Sequence, residues 1–152
     1  MVIFKDLSAE EFSAYLDNLK RDYAEDLKQS WQISLEEAVM FSDHQIASLL
    51  PEGLETPYHH VQAVVAGSRR VGRVWYACQA GSIGYLYDLH ILKPFRRQGL
   101  GAEVIRQVRI AVEAAGCNAL ALHVFAHNLG AQKFYQACGL APVGIQMYQK
   151  LS

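Results

Sequence analysis

From Phe12 onward the apolar residues Phe12, Tyr15, Leu16, Leu19, Tyr23 and Leu27 recur at helical spacing, with charged residues between them. That period marks an amphipathic helix. Ser8 followed three residues later by Glu11 forms a capping box, so the helix is predicted over about residues 8–29, behind a short apolar start, Val2-Ile3-Phe4. Ser34 and Glu37 repeat the signature ahead of Leu35, Ala38, Val39, Ile46, Leu49 and Leu50, and Pro51 with Gly53 closes that second helix. A break in it is expected near Ser42-Asp43. From Tyr58 the pattern changes to three runs rich in β-branched and aromatic residues, 58–67, 71–80 and 83–92. Turn signals at Gly67-Ser68 and Gly81-Ser82 make them an antiparallel meander. Helical spacing returns through Val104, Val108, Ala111, Val112 and Ala115 and stops at Gly116. Residues 119–125, ALALHVF, then read as a short buried strand. Ala131, Phe134, Tyr135 and Cys138 mark a last helix ending at Gly139, and VGIQMYQKL reads as a final strand. The order β α α β β β α β α β predicts a mixed α/β fold on a largely antiparallel sheet.

The chain has 152 residues, 51% hydrophobic and 19% charged, so it can build a core and is no candidate for disorder. With no repeat, low-complexity tract or linker, one domain over 1–152 is expected. Fourteen basic against fifteen acidic residues leave a net charge of −1. That balance offers no global field for nucleic acid or an anionic membrane, and neither is an expected partner. The start lacks the apolar core and cleavage site of a signal peptide, so a soluble, cytoplasmic protein is expected. Cys78, Cys117 and Cys138 are odd in number and widely spaced, which suggests reduced, buried thiols without a disulfide or metal framework.

The chemistry concentrates in Leu89–Val104, LHILKPFRRQGLGAEV, where a strand runs into a glycine-containing turn that opens a long helix. The first backbone N–H groups of a helix have no partner inside it, and the positive end of its dipole makes them an anion site. Gly99 and Gly101 keep side chains away from an approaching phosphate, while Arg96 and Arg97 add positive charge, so pyrophosphate is the natural occupant. A P-loop is excluded, since no Lys and hydroxyl pair follows Gly99. A dinucleotide fingerprint is excluded as well: Val104 stands where a third Gly or Ala is needed, and no acidic residue follows about 20 positions on.

The remaining pattern, Arg96-x-x-Gly99-x-Gly101, resembles the acetyl-CoA signature of the GNAT (Gcn5-related) N-acetyltransferase superfamily. The later stretch LHVFAHNLGAQKFYQACGLAPVG is similar to that superfamily's other block, with Asn128, Ala131, Tyr135, Gly139 and Leu140 at its spacings. The segment LLPEGLETPYHH further resembles a branch of small, uncharacterised bacterial members. The resemblance implies a GNAT fold with splayed fourth and fifth strands, acetyl-CoA as co-substrate, and an enzyme that acetylates a primary amine of a small molecule or peptide by direct attack in a ternary complex. It admits a homodimer, and no metal is expected. It implies that backbone groups near Leu89 and Ile91 hold the pantetheine arm, that the amides of Gln98, Gly99, Leu100, Gly101 and Ala102 hold the pyrophosphate, and that Asn128 contacts the pantetheine or the acceptor. Tyr135 matches the tyrosine that protonates the departing thiolate.

Two departures from the family pattern stand out. Arg97 occupies a position where Gly is common, and a positive φ there costs roughly 1–2 kcal/mol. No Glu lies on the fourth strand, Gly84-Tyr85-Leu86-Tyr87-Asp88-Leu89-His90. By simple alternation Tyr85 and Tyr87 share one face, with Asp88 and His90 on the other. If the tyrosine face meets the acceptor, the base is a water held by hydroxyls such as that of Tyr85, or His60 from a neighbouring strand. A catalytically degenerate acyl-CoA-binding or sensor domain is the alternative that the missing Glu motivates. Read without the family, Tyr135 is a core tyrosine and Asn128 a helix cap. His123 and His127 lie about 13 Å apart along an extended chain, too far to share a metal.

Overall fold

A computed structural model describes residues 1–152. Its elements are β1 (Val2–Asp6), α1 (Ala9–Trp31), α2 (Leu35–Leu49), β2 (His59–Ala66), β3 (Arg69–Ala77), β4 (Gly84–Ile91), α3 (Leu100–Ala114), β5 (Leu120–Leu122) and α4 (Leu129–Ala137). The fold is the expected mixed α/β, with one five-stranded sheet in the order β1-β2-β3-β4-β5. Its strands pair antiparallel except β4 with β5, which are parallel. The contacts divide the chain into two compact units, 1–12 with 52–123 and 13–51 with 124–152.

The first unit holds the whole sheet and α3. Val104, Ile105, Val108 and Val112 fall on one stripe of α3 and are all buried, as are Val64 and Val74 of the sheet and Leu86 of β4. Each such side chain contributes about 1.5–3 kcal/mol of burial. The helix lies so close to β4 that a Cβ at Gly84 would stand 2.9 Å from both Cβ and Cγ1 of Val112. Gly84→Ala therefore overpacks this contact and lowers stability by about 1–3 kcal/mol, to be read from the urea midpoint at unchanged m-value. At Gly72 a Cβ would fall on the carbonyl oxygen of His90, so β3 and β4 are close-set by backbone alone. Gly116 ends the helix region at φ 96°, in the left-handed conformation that glycine adopts freely.

The pairing of β3 with β4 slips once, between Trp75, opposite Asp88, and Tyr76, opposite Leu86. Tyr87 is the extra residue of a β-bulge, and the bulge corrects the expected alternation. Arg73 and Trp75 share a face of β3. The ring of Tyr87 stacks on Trp75 with centroids 4.6 Å apart, and Asp88 Oδ2 accepts from Arg73 Nε at 2.8 Å. Tyr87 and Asp88 therefore lie on the same face, with Tyr85 beside Tyr87 at 4.6 Å.

The second unit is helical. Ala24 and Leu27 of α1 and Ala38 of α2 form a small buried cluster, with Tyr23, Trp31, Ile33 and Phe125 packed on it. Helix α2 runs without the expected break: Ser42 is buried and its hydroxyl donates to Lys20 O at 3.0 Å, so the polar residue is satisfied inside the packing. Two further expectations are corrected. Only Leu120–Leu122 of 119–125 are strand, and residues 141–152 form no regular element. The tail has a strand's alternation, but its unit has no strand to ladder with. Val143, Ile145 and Met147 are 102%, 83% and 87% exposed, while Tyr148 anchors the tail by an edge contact to Trp31 and a hydrogen bond to its carbonyl.

Candidate active site

Strand β5 covers β4 only at Gly84, Tyr85 and Leu86. Asp88–Ile91 pair with β3 on one side, and from Tyr87 onward β4 has no β5 partner on the other, so a stretch of its main chain runs on past the end of β5 without a strand beside it. Leu89 and Ile91 both lie in it. Beyond Ile91 the chain is pinned by Leu92 N–H donating to Val71 O at 2.8 Å. It then makes a 3-10 turn at Lys93–Phe95 and reaches α3 through Arg96, Arg97, Gln98 and Gly99. Arg96 Nε donates to Ile91 O at 2.8 Å, tying the turn to the strand it leaves. Arg97 has φ 63°, the left-handed conformation, which costs a non-glycine residue roughly 1–2 kcal/mol.

Helix α3 differs from the other three at its start. Ser8 and Glu11 exchange capping bonds at α1. At α2, Ser34 Oγ accepts from Glu37 N–H, and at α4 Asn128 Oδ1 accepts from Ala131 N–H at 3.0 Å. At α3 the cap is Gly99, φ 78°, with no side-chain bond. The first intrahelical bond is Glu103 N–H to Gly99 O at 3.1 Å, which leaves the N–H groups of Leu100, Gly101 and Ala102 directed outward. A Cβ at Gly99 would meet nothing within 4 Å. Three donors and the positive end of the dipole face the helix start, with the exposed Arg97 two residues before the cap, the arrangement that binds an anion.

The bulged face of the sheet carries aromatic rings. His59 of β2 stacks on Tyr87 at 5.5 Å and 27°, and Trp75 Nε1–H donates to His59 Nδ1 at 2.9 Å. Burial pushes the phenols of Tyr85 and Tyr87 up, so they stay protonated at neutral pH. His60 points the other way and stacks on Tyr76 at 4.9 Å and 22°. It is therefore His59, not His60, that the fold brings to the face of Tyr85 and Tyr87, in contact with Tyr87. Alternation along β2 puts the two histidines on opposite faces, but only the β2–β3 register, with Val61 opposite Trp75, says which of them joins the rings.

In the second unit Asn128 caps α4, and Tyr135 lies seven residues on, two turns along the helix and about 10 Å away. The ring of Tyr135 meets Phe134 edge-on at 5.1 Å. His127, which precedes the cap, accepts or donates on both ring nitrogens, with Ser30 Oγ at 3.2 Å and Asp26 Oδ1 at 2.9 Å. From its spacing to His123 alone, His127 reads only as a candidate metal ligand. Asp26 and Ser30, one turn apart on α1, were the available signal for this pairing. Cys78 and Cys117 are buried, and burial pushes the Cys78 thiol up, the opposite of an activated nucleophile.

No helix is long and apolar enough to cross a membrane. The profile of the Acetyltransferase (GNAT) family matches residues 14–140. The uncharacterized N-acetyltransferase YycN of Bacillus subtilis (strain 168) is 30% identical over 154 aligned positions, 99% of each chain. The crystal structure of an acetyltransferase of that name from Bacillus subtilis covers 100% of this chain and 99% of its own at TM-score 0.91 and 29% identity. The aminoglycoside N-acetyltransferase AAC(6')-Iy, solved in complex with CoA, has TM-score 0.63 at 15% identity over 99% of this chain and 95% of its own, a likeness of fold. The glycine turn, the stretch of β4 without a β5 partner and the match across nearly the whole chain agree, and the protein belongs to the GNAT family of acetyltransferases.

Proposed function

We propose that the protein transfers the acetyl group of acetyl-CoA to a primary amine of a small molecule or peptide. The observation that carries this reading is the start of α3, the one helix of four left without a side-chain cap, next to a stretch of β4 without a β5 partner. The amides from Gln98 to Ala102 hold the pyrophosphate, with Arg96 and Arg97 beside it. The open main chain around Leu89 and Ile91 pairs with the pantetheine arm in the manner of an added strand and polarises the thioester carbonyl. The aromatic face with Tyr85 meets the acceptor.

The chemistry is a direct displacement. The amine loses a proton, its lone pair attacks the thioester carbon, and the tetrahedral intermediate expels CoA as a thiolate. A proton from Tyr135 then gives the thiol, and Tyr135 regains one through solvent from the nitrogen, which sheds its second proton as the intermediate collapses, so that ammonium and acetyl-CoA give N-acetylamine, CoA and the one proton first lost by the amine. The tyrosine assignment and the part given to Asn128, in contact with the pantetheine or the acceptor, rest on the family's second motif. Asp88, bound to Arg73 with about 11% of its side chain exposed, is a poor base, and a water held by the Tyr85 hydroxyl takes that role.

Acetyl-CoA at about 100 times its dissociation constant stabilises the folded state by roughly 2.7 kcal/mol, measured as a thermal shift. Absence of any shift contradicts the proposal. A protein that only binds acyl-CoA gives the shift without releasing CoA when amines are supplied, so a thiol-release assay completes the test.

A further inference from the structure

The aromatic face of the first unit contains a histidine whose protonation is fixed by its neighbour. An indole N–H only donates, so the bond from Trp75 Nε1 to His59 Nδ1 requires Nδ1 to be bare and places the ring proton on Nε2. Trp75 is buried, 2% exposed, so turning the imidazole over would strand its N–H without a partner. Burial, and then the neighbouring His60, hold the His59 pKa below its ordinary value, which keeps the ring neutral near pH 7. Nε2 has no protein partner, and the only buried side-chain polar atom left unpaired is Gln62 Oε1, so this N–H reaches open space.

From this geometry we infer that His59 is an acceptor-binding residue, a fixed neutral donor whose Nε2–H holds an oxygen of the amine substrate at the edge of its ring stack with Tyr87 and Trp75. The inference rests on the reading that this face meets the acceptor. His59 is not the base: Nε2 already carries its proton, and Nδ1 is engaged. The three rings form a stack, His59 on Tyr87 with centroids 5.5 Å apart at 27° and Tyr87 on Trp75 at 4.6 Å and 24°. The carboxylate on this face, Asp88, is already engaged by Arg73. Such a site suits a monoamine with a hydrogen-bond-accepting oxygen. A polycation, whose several charges need unpaired carboxylates, does not match it. Trp75 acts here as a positioning residue.

Imidazole nitrogen NMR of the unmodified protein at neutral pH is expected to show His59 protonated at Nε2 alone, and Trp75→Phe to let the other tautomer appear. In acetylation assays, 2-amino-1-phenylethanol is expected to exceed 2-phenylethylamine about tenfold in kcat/KM, the worth of one hydrogen bond, and both to exceed spermidine. His59→Phe keeps a ring on the stack without the donor. It erases the tenfold preference while the KM for acetyl-CoA stays the same, and His59→Gln, which retains an N–H, restores part of it. A proton on Nδ1, a preference that survives His59→Phe, spermidine as the best of the three, or turnover of none of them by protein that acetyl-CoA stabilises would each overturn the inference. Failure to bind acetyl-CoA at all strikes the pyrophosphate site instead, and the tautomer measurement still decides the state of His59.

Discussion

Gly101→Val weakens acetyl-CoA binding at least about 100-fold while the protein stays folded. Gly101 is the second residue of α3, and its N–H is one of the three that the helix itself does not use. Hydrogen bonds to a charged group are worth about 1.5–3 kcal/mol each. A branched side chain that holds the diphosphate off two of them removes about 3 kcal/mol or more, which is a factor of 100 or beyond. The helix itself should not suffer, since Val has a higher helix propensity than Gly. Titration calorimetry for affinity and circular dichroism for folding separate the two effects. Affinity within a few-fold of the parent would place the phosphates elsewhere.

Tyr135→Phe lowers kcat by about 100-fold or more, in the range of a lost general acid, and leaves the acetyl-CoA dissociation constant nearly as it was. Phenylalanine keeps the ring and its edge contact with Phe134, so the change is confined largely to the hydroxyl. Steady-state rates at saturating acetyl-CoA, with the dissociation constant measured alongside, provide the check. An equal kcat in the variant would remove Tyr135 from proton transfer.

Much of this architecture is legible in local sequence because its signals are local. Ser8-Glu11 and Ser34-Glu37 cap the helices they precede, the α3 stripe is buried where its spacing says, and Gly116 and Gly139 turn the chain at positive φ. What escapes depends on a partner far away in sequence. The bulge at Tyr87 arises from pairing with β3 and reverses the face on which Asp88 lies, which no period-two reading of β4 alone can deliver. Ser42 looks like a helix break until Lys20 O is found as its acceptor. The tail after Gly139 alternates like a strand, yet a strand exists only where a neighbour offers a ladder. The phosphate turn was legible because its glycines and arginines are contiguous. The aromatic acceptor face was only half legible, since His59 joins it through Trp75, sixteen residues on.

The most direct measurement is a crystal structure of the protein with acetyl-CoA. The diphosphate should lie within hydrogen-bonding distance of the main-chain nitrogens of Leu100, Gly101 and Ala102, with the pantetheine extended along Leu89–Ile91. Density for the diphosphate at any other position, with those three amides facing only solvent, would contradict the assignment of the α3 turn as the nucleotide site.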